Sequence, residues 1–387
     1  MEIVCCNSTS EEAQLAFRLR YEVFGSELGF QDLDIDHKNG VYRDSLDEHA
    51  RIYVAIKEGK AIATARVVYD RDVALDKALT EFMFNLLGLE RFSPHTGSLA
   101  VSTKFAISPH HRGTLAANLI TTKMYGDFID EEIHFLFSMC APYLINFYSQ
   151  LGFRMYSRSM NFSVGLVTPI VLVMRDWEHL RNTRSPLFRQ INKRKLCDEM
   201  HASVKWFYDH YGDSLETFVA SYDDRVVEKM LKYSSNASSR TNLEDVGIFN
   251  AMSSEDIKKA LGAGKLLNFS AGDMIVQTGN TMDEMFIVID GEIEVSFKED
   301  DLPSFQLGPG QVFGEISMLS RTARTADCAA TSDAQLAIIS RQNLERLIKV
   351  EPELAARFLY NLSRVLSYRL RQTNEHMKAL RTRLSDA

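Results

Sequence analysis

Near its C-terminus the chain reads Phe313-Gly-Glu-Ile-Ser-Met-Leu-Ser-Arg-Thr-Ala-Arg-Thr-Ala-Asp327. Gly314 allows backbone amides to approach an anion, Glu315 can accept a hydrogen bond from a sugar hydroxyl, and Arg324 can meet phosphate oxygens with its planar guanidinium. A short helix from Ile316 would direct its N-terminus, and its partial positive charge, at the same anion. Several donors converge on one charge, which predicts a site for a sugar phosphate.

This run resembles the cyclic-nucleotide-binding domains of catabolite activators and cyclic-nucleotide-dependent kinases, whose signature is Phe-Gly-Glu-(Leu/Ile)-x, a short spacer, then Arg-(Ala/Ser/Thr)-Ala. The likeness continues upstream through 272–275, Gly279 and 285–291. It implies cAMP or cGMP as an allosteric ligand, with cAMP favoured and the choice of base left open. The residues implied to bind the nucleotide are Phe313, Gly314, Glu315, Ile316, Ser317, Arg324, Thr325 and Ala326.

Short apolar runs punctuated by glycines surround this site and are typical of a small all-β structure. They predict a C-terminal β-barrel of jelly-roll type, followed by C-terminal helices. The last helix carries an apolar stripe that favours a homodimer, with packing onto the barrel as the alternative. The residues of the stripe are Phe358, Leu362, Val365, Leu366, Met377, Leu380 and Leu384.

The N-terminal half alternates helical and strand patterns. Residues 11–24 have helical spacing, 52–56 and 61–68 form a predicted hairpin, and 99–107 form a strand that precedes a helix. A strand over 133–139 and a helix over 143–151 follow. This order predicts an α/β domain over 1–180, a helical connector over 181–245, and the nucleotide domain over 246–387.

The segment Phe105-Ala-Ile-Ser-Pro-His-His-Arg-Gly-Thr-Leu-Ala-Ala117 is a strand that turns into a helix, where free amides and an arginine could hold a phosphate. Together with Asn146-Phe-Tyr-Ser-Gln-Leu-Gly-Phe153, it resembles the GNAT acyltransferase fold. The resemblance implies that Tyr148 protonates the leaving thiolate. Leu115 replaces the family's loop glycine, which favours acyl-ACP over acyl-CoA without excluding either. The residues implied to hold the donor are Phe105, Ile107, Arg112, Gly113 and Thr114.

The first 70 residues contain Arg20-Tyr-Glu-Val-Phe24, Leu28-Gly-Phe30, Asp44-x-x-Asp47 and Thr64-Ala-Arg66. In this order they resemble one GNAT branch, the autoinducer synthases and long-chain N-acyl amino acid synthases. The resemblance implies an acceptor site lined by Phe24 and Phe30, with Asp44 or Asp47 as base; solvent-exposed turn aspartates are the alternative. Thr103-Lys104 replaces the family's Ser-Arg, so an amine acceptor other than the homoserine-lactone precursor is expected. The catalytic set is Arg20, Asp44, Asp47, Arg66 and Tyr148.

Bulk properties exclude several classes of protein. The net charge of -8 and pI near 5.7 argue against nucleic-acid binding. Five scattered cysteines suggest neither disulfides nor a zinc site, and no apolar run is long enough for a membrane span. A cytoplasmic enzyme without a metal is therefore expected.

These patterns together predict a cyclic-nucleotide-regulated N-acyltransferase that transfers an acyl group from acyl-ACP or acyl-CoA to an amine such as an amino acid. Two alternatives stay open. One is a cyclic-nucleotide-regulated protein lysine acetyltransferase. The other is a non-enzymatic sensor of a cyclic nucleotide and an acyl ligand.

Overall fold

The computed structural model describes residues 1–30, 32–73, 87–162, 165–212, 224–238, 247–297 and 304–385. The chain divides into two compact units. The first comprises Met1–Arg158 and Val167–Phe218, and the second comprises Ser159–Leu166 and Val219–Ala387. Residues of the predicted connector fall in both units, and its segments 213–223 and 239–246 lie outside the described residues.

The helices of the first unit are α1 (Glu11–Arg20), α2 (Asp70–Val73), α3 (Ala116–Asp130), α4 (Ile145–Leu151), α5 (Trp177–Asn182), α6 (Phe188–Lys193) and α7 (Ala202–Tyr211). A π-helical turn, Tyr21–Glu27, extends α1. The strands are β1 (Glu2–Cys6), β2 (Ile35–Asp36), β3 (Val41–Tyr42), β4 (Arg51–Lys57), β5 (Lys60–Tyr69), β6 (Leu99–Ile107), β7 (Phe135–Cys140), β8 (Arg154–Met155) and β10 (Gly165–Val173). Short 3-10 turns occupy Ser45–His49, Leu89–His95, Pro109–His111 and Pro142–Leu144.

The main sheet of the first unit has the order β1-β4-β5-β6-β7-β10-β8. Its neighbouring strands are antiparallel except β6 and β7, which are parallel and joined through α3. The β6–β7 pairing runs from Leu99 opposite Phe135 to Ser102 opposite Ser138 and then stops. The two strands therefore separate beyond Ser102.

A β-bulge lies immediately after this separation. The register of β5 and β6 passes from Arg66 opposite Thr103 to Thr64 opposite Ala106, so Lys104 and Phe105 face a single residue of β5. Lys104 has a φ of 52°, a conformation that non-glycine residues seldom adopt. Bulges of this kind redirect side chains next to functional sites.

The second unit contains helices α8 (Asp224–Ser238), α9 (Ser254–Gly262), α10 (Glu315–Ser320), α11 (Arg341–Val350) and α12 (Pro352–Ser385). Its strands are β9 (Met160–Phe162), β11 (Lys265–Phe269), β12 (Met274–Val276), β13 (Glu284–Asp290), β14 (Ile293–Ser296), β15 (Phe305–Leu307), β16 (Val312–Phe313), β17 (Asp327–Ala330) and β18 (Ala334–Ser340). The eight strands from β11 to β18 form two four-stranded sheets, β11-β18-β13-β16 and β12-β17-β14-β15.

The predicted all-β jelly roll is confirmed, but its description as a barrel needs correction. Each sheet keeps its own antiparallel ladder, and no ladder joins the two sheets within the described part of the chain. The apolar side chains of β11, β13 and β18 pack together with those of α9 and α12. A sandwich of this kind buries one face of a sheet without closing it.

The predicted C-terminal helices are confirmed: α11 ends at Val350, and α12, which contains the apolar stripe, begins at Pro352. Proline lacks an amide hydrogen, so it suits the first turn of a helix and not its interior. Phe358 and Leu362 of the apolar stripe are buried in the core of the second unit. Met377 is 55% exposed, and the side chains of Leu380 and Leu384 lie outside the described residues.

Among the described helices, none has both the length and the apolar content needed to cross a membrane.

Candidate functional sites

Four of the predicted catalytic residues of the first unit meet in one buried charged cluster. Arg20 Nη1 donates to Asp47 Oδ1 at 2.7 Å, and both side chains are fully buried. Arg66 Nη1 lies 3.5 Å from Asp47 Oδ2 and also pairs with Asp44. Thus α1, β5 and the turn that begins at Asp44 converge on two carboxylates.

Local backbone chemistry explains why the two aspartates lie together. Asp44 is the N-cap of the turn Ser45–His49, and its carboxylate accepts from the amide of Leu46 at 3.0 Å. The Asp47 carboxylate reaches back to the amide of Asp44 at 3.1 Å. This reciprocal capping arrangement requires an acceptor at both positions. The spacing Asp-x-x-Asp therefore has a structural reason in addition to any chemical role.

The cluster has a third cation that the sequence assignment did not include. Lys104 Nζ lies 3.1 Å from Asp44 Oδ2 and 3.9 Å from Asp32 Oδ2. It also lies 3.2 Å from the centroid of the Tyr42 ring, whose hydroxyl donates to Asp32. Burial lowers the pKa of Lys104 to about 8, while Asp44 opposes this shift.

The charges also control the acidity of Asp44. Burial disfavours its ionised form, but Arg66 and Lys104 outweigh burial and hold the pKa of its carboxyl below its usual value. Arg20 Nε and Nη2 and Thr64 Oγ1 are buried without a hydrogen-bond partner among the described residues. Such polar atoms are costly in a folded protein unless water or a ligand reaches them.

Phe24 and Phe30, the predicted acceptor-pocket residues, pack beside this cluster. Their ring centroids are 5.6 Å apart, and Phe24 also contacts Tyr42 edge-on at 6.0 Å. Because Lys104 lies over the face of Tyr42, these rings adjoin the charged groups. The structure therefore brings the predicted pocket and most of the predicted catalytic set together.

The predicted acid, Tyr148, lines a separate apolar cavity of about 30 Å³. Ser102 and Phe105 of β6 and Ser138 of β7 line the same cavity, which lies where the two strands separate. Burial raises the pKa of Tyr148, so its hydroxyl keeps its proton at neutral pH. At the bulge, neighbouring residues serve different sites: Thr103 and Lys104 contact the charged cluster, whereas Ser102 and Phe105 line the cavity.

The predicted donor-binding residues surround the turn between β6 and α3. Gly113 has a φ of 75°, which favours glycine, and Thr114 Oγ1 donates to the carbonyl of His111 at 2.6 Å. Arg112 makes a bidentate pair with Glu27 at 2.6 Å for both contacts. Leu115 precedes α3 and is 68% exposed.

In the second unit, the predicted phosphate arginine is buried. Arg324 Nη1 donates to the carbonyl of Gly314 at 2.9 Å, and Nη2 lies 3.3 Å from Glu284 Oε2. Gly314 has a φ of 76°, and an added Cβ would lie 2.6 Å from Arg324 Nη1. This turn therefore needs glycine for both its conformation and its space.

Glu284, at the start of β13, was not among the predicted site residues. Burial raises the pKa of Glu284 to about 7, although Arg324 opposes the shift. Its Oε1 has no hydrogen-bond partner among the described residues. The sequence held one sign of its role, because Glu284 directly precedes the apolar run Met285–Ile289, which is buried. A carboxylate at the edge of such a run needs a nearby cation or a bound proton.

Glu315, the predicted ribose ligand, is engaged by the C-terminal helix. Arg369 of α12 donates through Nη1 to Glu315 Oε1 at 2.8 Å and through Nη2 to the carbonyl of Val312 at 2.5 Å. The remaining predicted residues surround this turn. Phe313 is buried and stacks on Phe286, Ser317 is buried, Ala326 is half-buried, and Ile316 and Thr325 are exposed.

Within the described part of the chain, no group of three or more His, Cys, Asp or Glu side chains is arranged to hold a metal ion.

Comparison with known families agrees with both folds. Residues 266–351 match the model of the cyclic nucleotide-binding domain, and residues 19–122 match that of the acetyltransferase (GNAT) domain. The C-terminal region is thus a cyclic-nucleotide-binding domain, and the N-terminal region has a GNAT-like fold. Both predicted resemblances are confirmed at this level.

The chain is similar to a CRP-like cAMP-activated global transcriptional regulator of Mycobacterium tuberculosis, with 26% identity over 36% of this chain and 61% of the regulator. A putative potassium channel protein of Rhodopseudomonas palustris is 28% identical over 28% of this chain. The chain spans only 27% of that channel's length. The chain spans less than two thirds of the length of either relative.

Among solved structures, a CoA-dependent acyl-homoserine lactone synthase, BjaI, is 12% identical, covers 53% of this chain and is itself 97% covered, with a TM-score of 0.39. The catabolite activator protein of Thermus thermophilus is 26% identical, covers 34% of this chain and is 62% covered, with a TM-score of 0.31.

Proposed function

We propose that this chain is an N-acyltransferase under cyclic-nucleotide control, which transfers an acyl group from acyl-ACP or acyl-CoA to an amine such as an amino acid. The bulge of β6 is the observation that carries the proposal. Lys104 of the bulge contacts the buried charged cluster, and Phe105 of the bulge lines the apolar cavity, so the bulge lies between the two. A reaction between a polar amine and an acyl thioester needs both environments at adjacent positions.

In the proposed reaction, the acceptor nitrogen attacks the thioester carbonyl, so a C–N bond forms and the C–S bond breaks. Backbone amides at the bulge supply hydrogen bonds to the developing oxyanion. Tyr148 protonates the leaving thiolate; burial raises the pKa of its phenol, so the hydroxyl still carries its proton when the thiolate departs. The cavity beyond the Ser102–Ser138 pair, where β6 and β7 separate, would admit the acyl chain beside Tyr148.

The charged cluster supports an acceptor that carries an ammonium group. Of the two aspartates, Asp44 remains partly accessible, at 12% side-chain exposure, whereas Asp47 is fully buried with Arg20. We assign Asp44 to hold the acceptor's ammonium group, and Arg20, Asp47 and Arg66 to position it. Phe24 and Phe30 would cover the acceptor from the aromatic side.

The turn at Arg112 supports a donor with a phosphorylated pantetheine arm. Both terminal nitrogens of its guanidinium, Nη1 and Nη2, pair with Glu27. The Arg112 side chain is 39% exposed and that of Glu27 is 35% exposed. An exposed pair costs little to break, so a phosphate can replace Glu27 on Arg112. The single phosphate of a carrier-protein arm fits beside the exposed Leu115 more readily than the diphosphate of CoA.

Regulation is assigned to the second unit. A cyclic phosphate at Arg324 would compete with Glu284, and a ribose hydroxyl at Glu315 would compete with Arg369. Because Arg369 lies on α12, occupation of Glu315 alters the contacts of the C-terminal helix. A ligand shifts a conformational equilibrium only when it changes such contacts between states.

The test combines thiol release with nucleotide titration. Purified protein is supplied with acyl-ACP or acyl-CoA of graded chain length and a panel of amino acids, with and without cAMP or cGMP. We expect thiol release, an N-acyl product by mass spectrometry, and a change in rate with one nucleotide. Tyr148→Phe should lower turnover, whereas Tyr360→Phe, at a residue that is 66% exposed, should not.

Calorimetric titration of cAMP and cGMP tests the regulatory part separately. Arg324→Ala should abolish binding, whereas Arg346→Ala, at an exposed position of α11, should leave it intact. Nucleotide binding without thiol release from any donor would refute the enzyme and favour a sensor. Thiol release that no nucleotide alters would refute the regulation alone.

A further inference from the structure

The charged cluster raises a question about the base that activates the acceptor. An amine arrives as ammonium at neutral pH and must lose a proton before it attacks. Asp47 is paired with Arg20 and Arg66 and accepts from the amide of Asp44. Asp44 is paired with Arg66 and Lys104, which hold its pKa below the usual value. Asp44 is therefore a weak proton acceptor, and the fully buried Asp47 is already engaged by two arginines.

Lys104 has the geometry of a proton acceptor. The positive φ at the bulge places its side chain on the same side as the Asp44–Arg66 pair, with Nζ 3.1 Å from Asp44 Oδ2. The face of Tyr42, itself in contact with Phe24, lies 3.2 Å from Nζ. An ammonium group held by Asp44 would thus lie next to Nζ.

We propose that neutral Lys104 takes the proton from the acceptor's ammonium group and so generates the attacking amine. This inference rests on the proposed acyl transfer. The ammonium N–H bond breaks as an Nζ–H bond forms, and the amine then attacks the thioester. Tyr148 gives its proton to the thiolate, and the second amine proton, lost from the tetrahedral intermediate, replaces it. Lys104 afterwards releases its proton to solvent.

The surroundings of Lys104 support a population of the neutral form. Burial is the largest influence and lowers the pKa to about 8, the range in which lysine can act as a base near neutral pH. The groups that face it are Asp32 and Asp44, which raise this pKa, Arg66, which lowers it, and also Asp34 and the neutral hydroxyl of Tyr42.

Two substitutions separate charge from basicity. Lys104→Arg keeps a cation beside Asp44 that cannot lose its proton, and Lys104→Met removes the charge at similar length. We expect both to lower kcat by about 10²–10⁴-fold with little change in the donor KM. Wild-type kcat/KM should rise with pH through about 8, and this limb should be missing from Lys104→Arg. Lys123→Arg, in a surface pair with Asp127, is the matched control.

Failure of this inference is distinguishable from failure of the proposed function. If Lys104→Arg keeps wild-type kcat and the same pH limb, Lys104 is not the base, while acyl transfer stands. If wild-type protein releases no thiol from any donor, the transferase and the base assignment fall together.

A second, independent observation concerns Ser159–Leu166. In the sequence this segment lies between β8 and β10 of the first unit, yet it belongs to the second unit. Asn161 Nδ2 donates to the carbonyl of Ile275 at 2.9 Å, and Asn280 Nδ2 donates to Asn161 Oδ1 at 2.8 Å. A Cβ on Gly165 would lie 2.4 Å from Met282 Cγ, so the packing is close.

Asn161 contacts a residue that is hydrogen-bonded to the predicted phosphate arginine. The backbone amide of Arg324 donates to the carbonyl of Asn280 at 2.8 Å, and Asn280 in turn contacts Asn161. From Gly165 the chain continues as β10, in which Ile170 pairs with Ser138 of β7. Ser138 lines the cavity beside Tyr148.

We infer that this segment transmits nucleotide binding at Arg324 to the acyl-transfer site through Asn161. The inference rests on the proposed regulation. Asn161→Ala should keep the nucleotide affinity and the turnover without nucleotide. The ratio of turnover with nucleotide to turnover without it should change by at least about fivefold towards one. Asn268→Ala, at an exposed position of β11, should keep the full response. Hydrogen exchange of residues 167–173 should respond to the nucleotide in wild type and not in Asn161→Ala.

A full response in Asn161→Ala, with the same exchange change in β10, would overturn this inference and leave the regulated transferase intact. If neither cAMP nor cGMP changes the turnover of the wild type, the proposed regulation is wrong, and this inference fails with it.

Discussion

Asp47→Asn should strongly destabilise the first unit, because it removes the partner of a fully buried guanidinium. The Arg20 and Asp47 side chains are both 0% exposed, and they share a 2.7 Å hydrogen bond. Two nitrogens of Arg20 already have no hydrogen-bond partner among the described residues. Asparagine keeps the shape of the side chain but leaves the buried positive charge uncompensated.

The expected size of the effect follows from this burial. Removal of one partner of a buried ion pair costs about 3–5 kcal/mol. For a domain of 150–250 residues this corresponds to a fall in Tm of about 6–20 °C. Asp130→Asn is the control, because Asp130 pairs with Arg194 at the surface and its side chain is 60% exposed. An exposed pair contributes about 0–1 kcal/mol, so this control should melt within about 4 °C of wild type.

Tryptophan fluorescence isolates the unit that is perturbed. The chain has two tryptophans, Trp177 and Trp206, and both lie in the first unit. Thermal or urea unfolding followed by their emission therefore reports on that unit even when the second unit unfolds separately. Two-unit chains often unfold in more than one step, so a probe confined to one unit is needed.

A double substitution tests the cause. Arg20→Met combined with Asp47→Asn removes the unpaired buried charge and keeps an acceptor for the amide of Asp44, so most of the lost stability should return while acyl transfer does not. If Asp47→Asn melts no earlier than Asp130→Asn, or if the double substitution is as unstable as the single one, the electrostatic explanation is wrong.

Three further outcomes are expected. Gly314→Ala should weaken cAMP binding and destabilise the second unit by about 1–3 kcal/mol, because Gly314 has a positive φ and no room for a Cβ. The control is Gly308→Ala, which should leave stability unchanged in calorimetry because a Cβ there would have no heavy atom within 4 Å. Burial raises the pKa of Glu284 from 4.5 to about 7, so the protonated carboxyl stabilises the second unit. This contribution should be complete below pH 4.5 and should be lost as pH rises through 7. Calorimetric melts should show this fall in stability with pH, and Glu284→Gln should make the pH dependence flatter. Arg112→Ala should raise the donor KM and Glu27→Gln should lower it, both with little change in Tm; equal KM values would contradict the donor assignment.

The sequence predicted the elements around the site closely where local patterns were strong. The strand at 99–107 agrees with β6, and the hairpin at 52–68 agrees with β4 and β5 within two residues at each end. These segments are apolar runs bounded by clear turn residues, so few alternatives compete locally. The predicted C-terminal helices likewise correspond to α11 and α12, with Pro352 at the start of the second.

Residue types and their spacing by themselves determined the two classes of domain, the aspartate pair and the phosphate-type turn. Those features depend on short-range chemistry: capping by Asp44 and Asp47, and the left-handed conformation of Gly314. Only the tertiary structure decided which distant groups share a site, because Lys104, Glu284 and Arg369 reach their partners across 40 or more residues of chain, or through a bulge that no periodicity announces. Burial shifts the pKa values of Lys104 and Glu284, and burial is a property of the assembled fold.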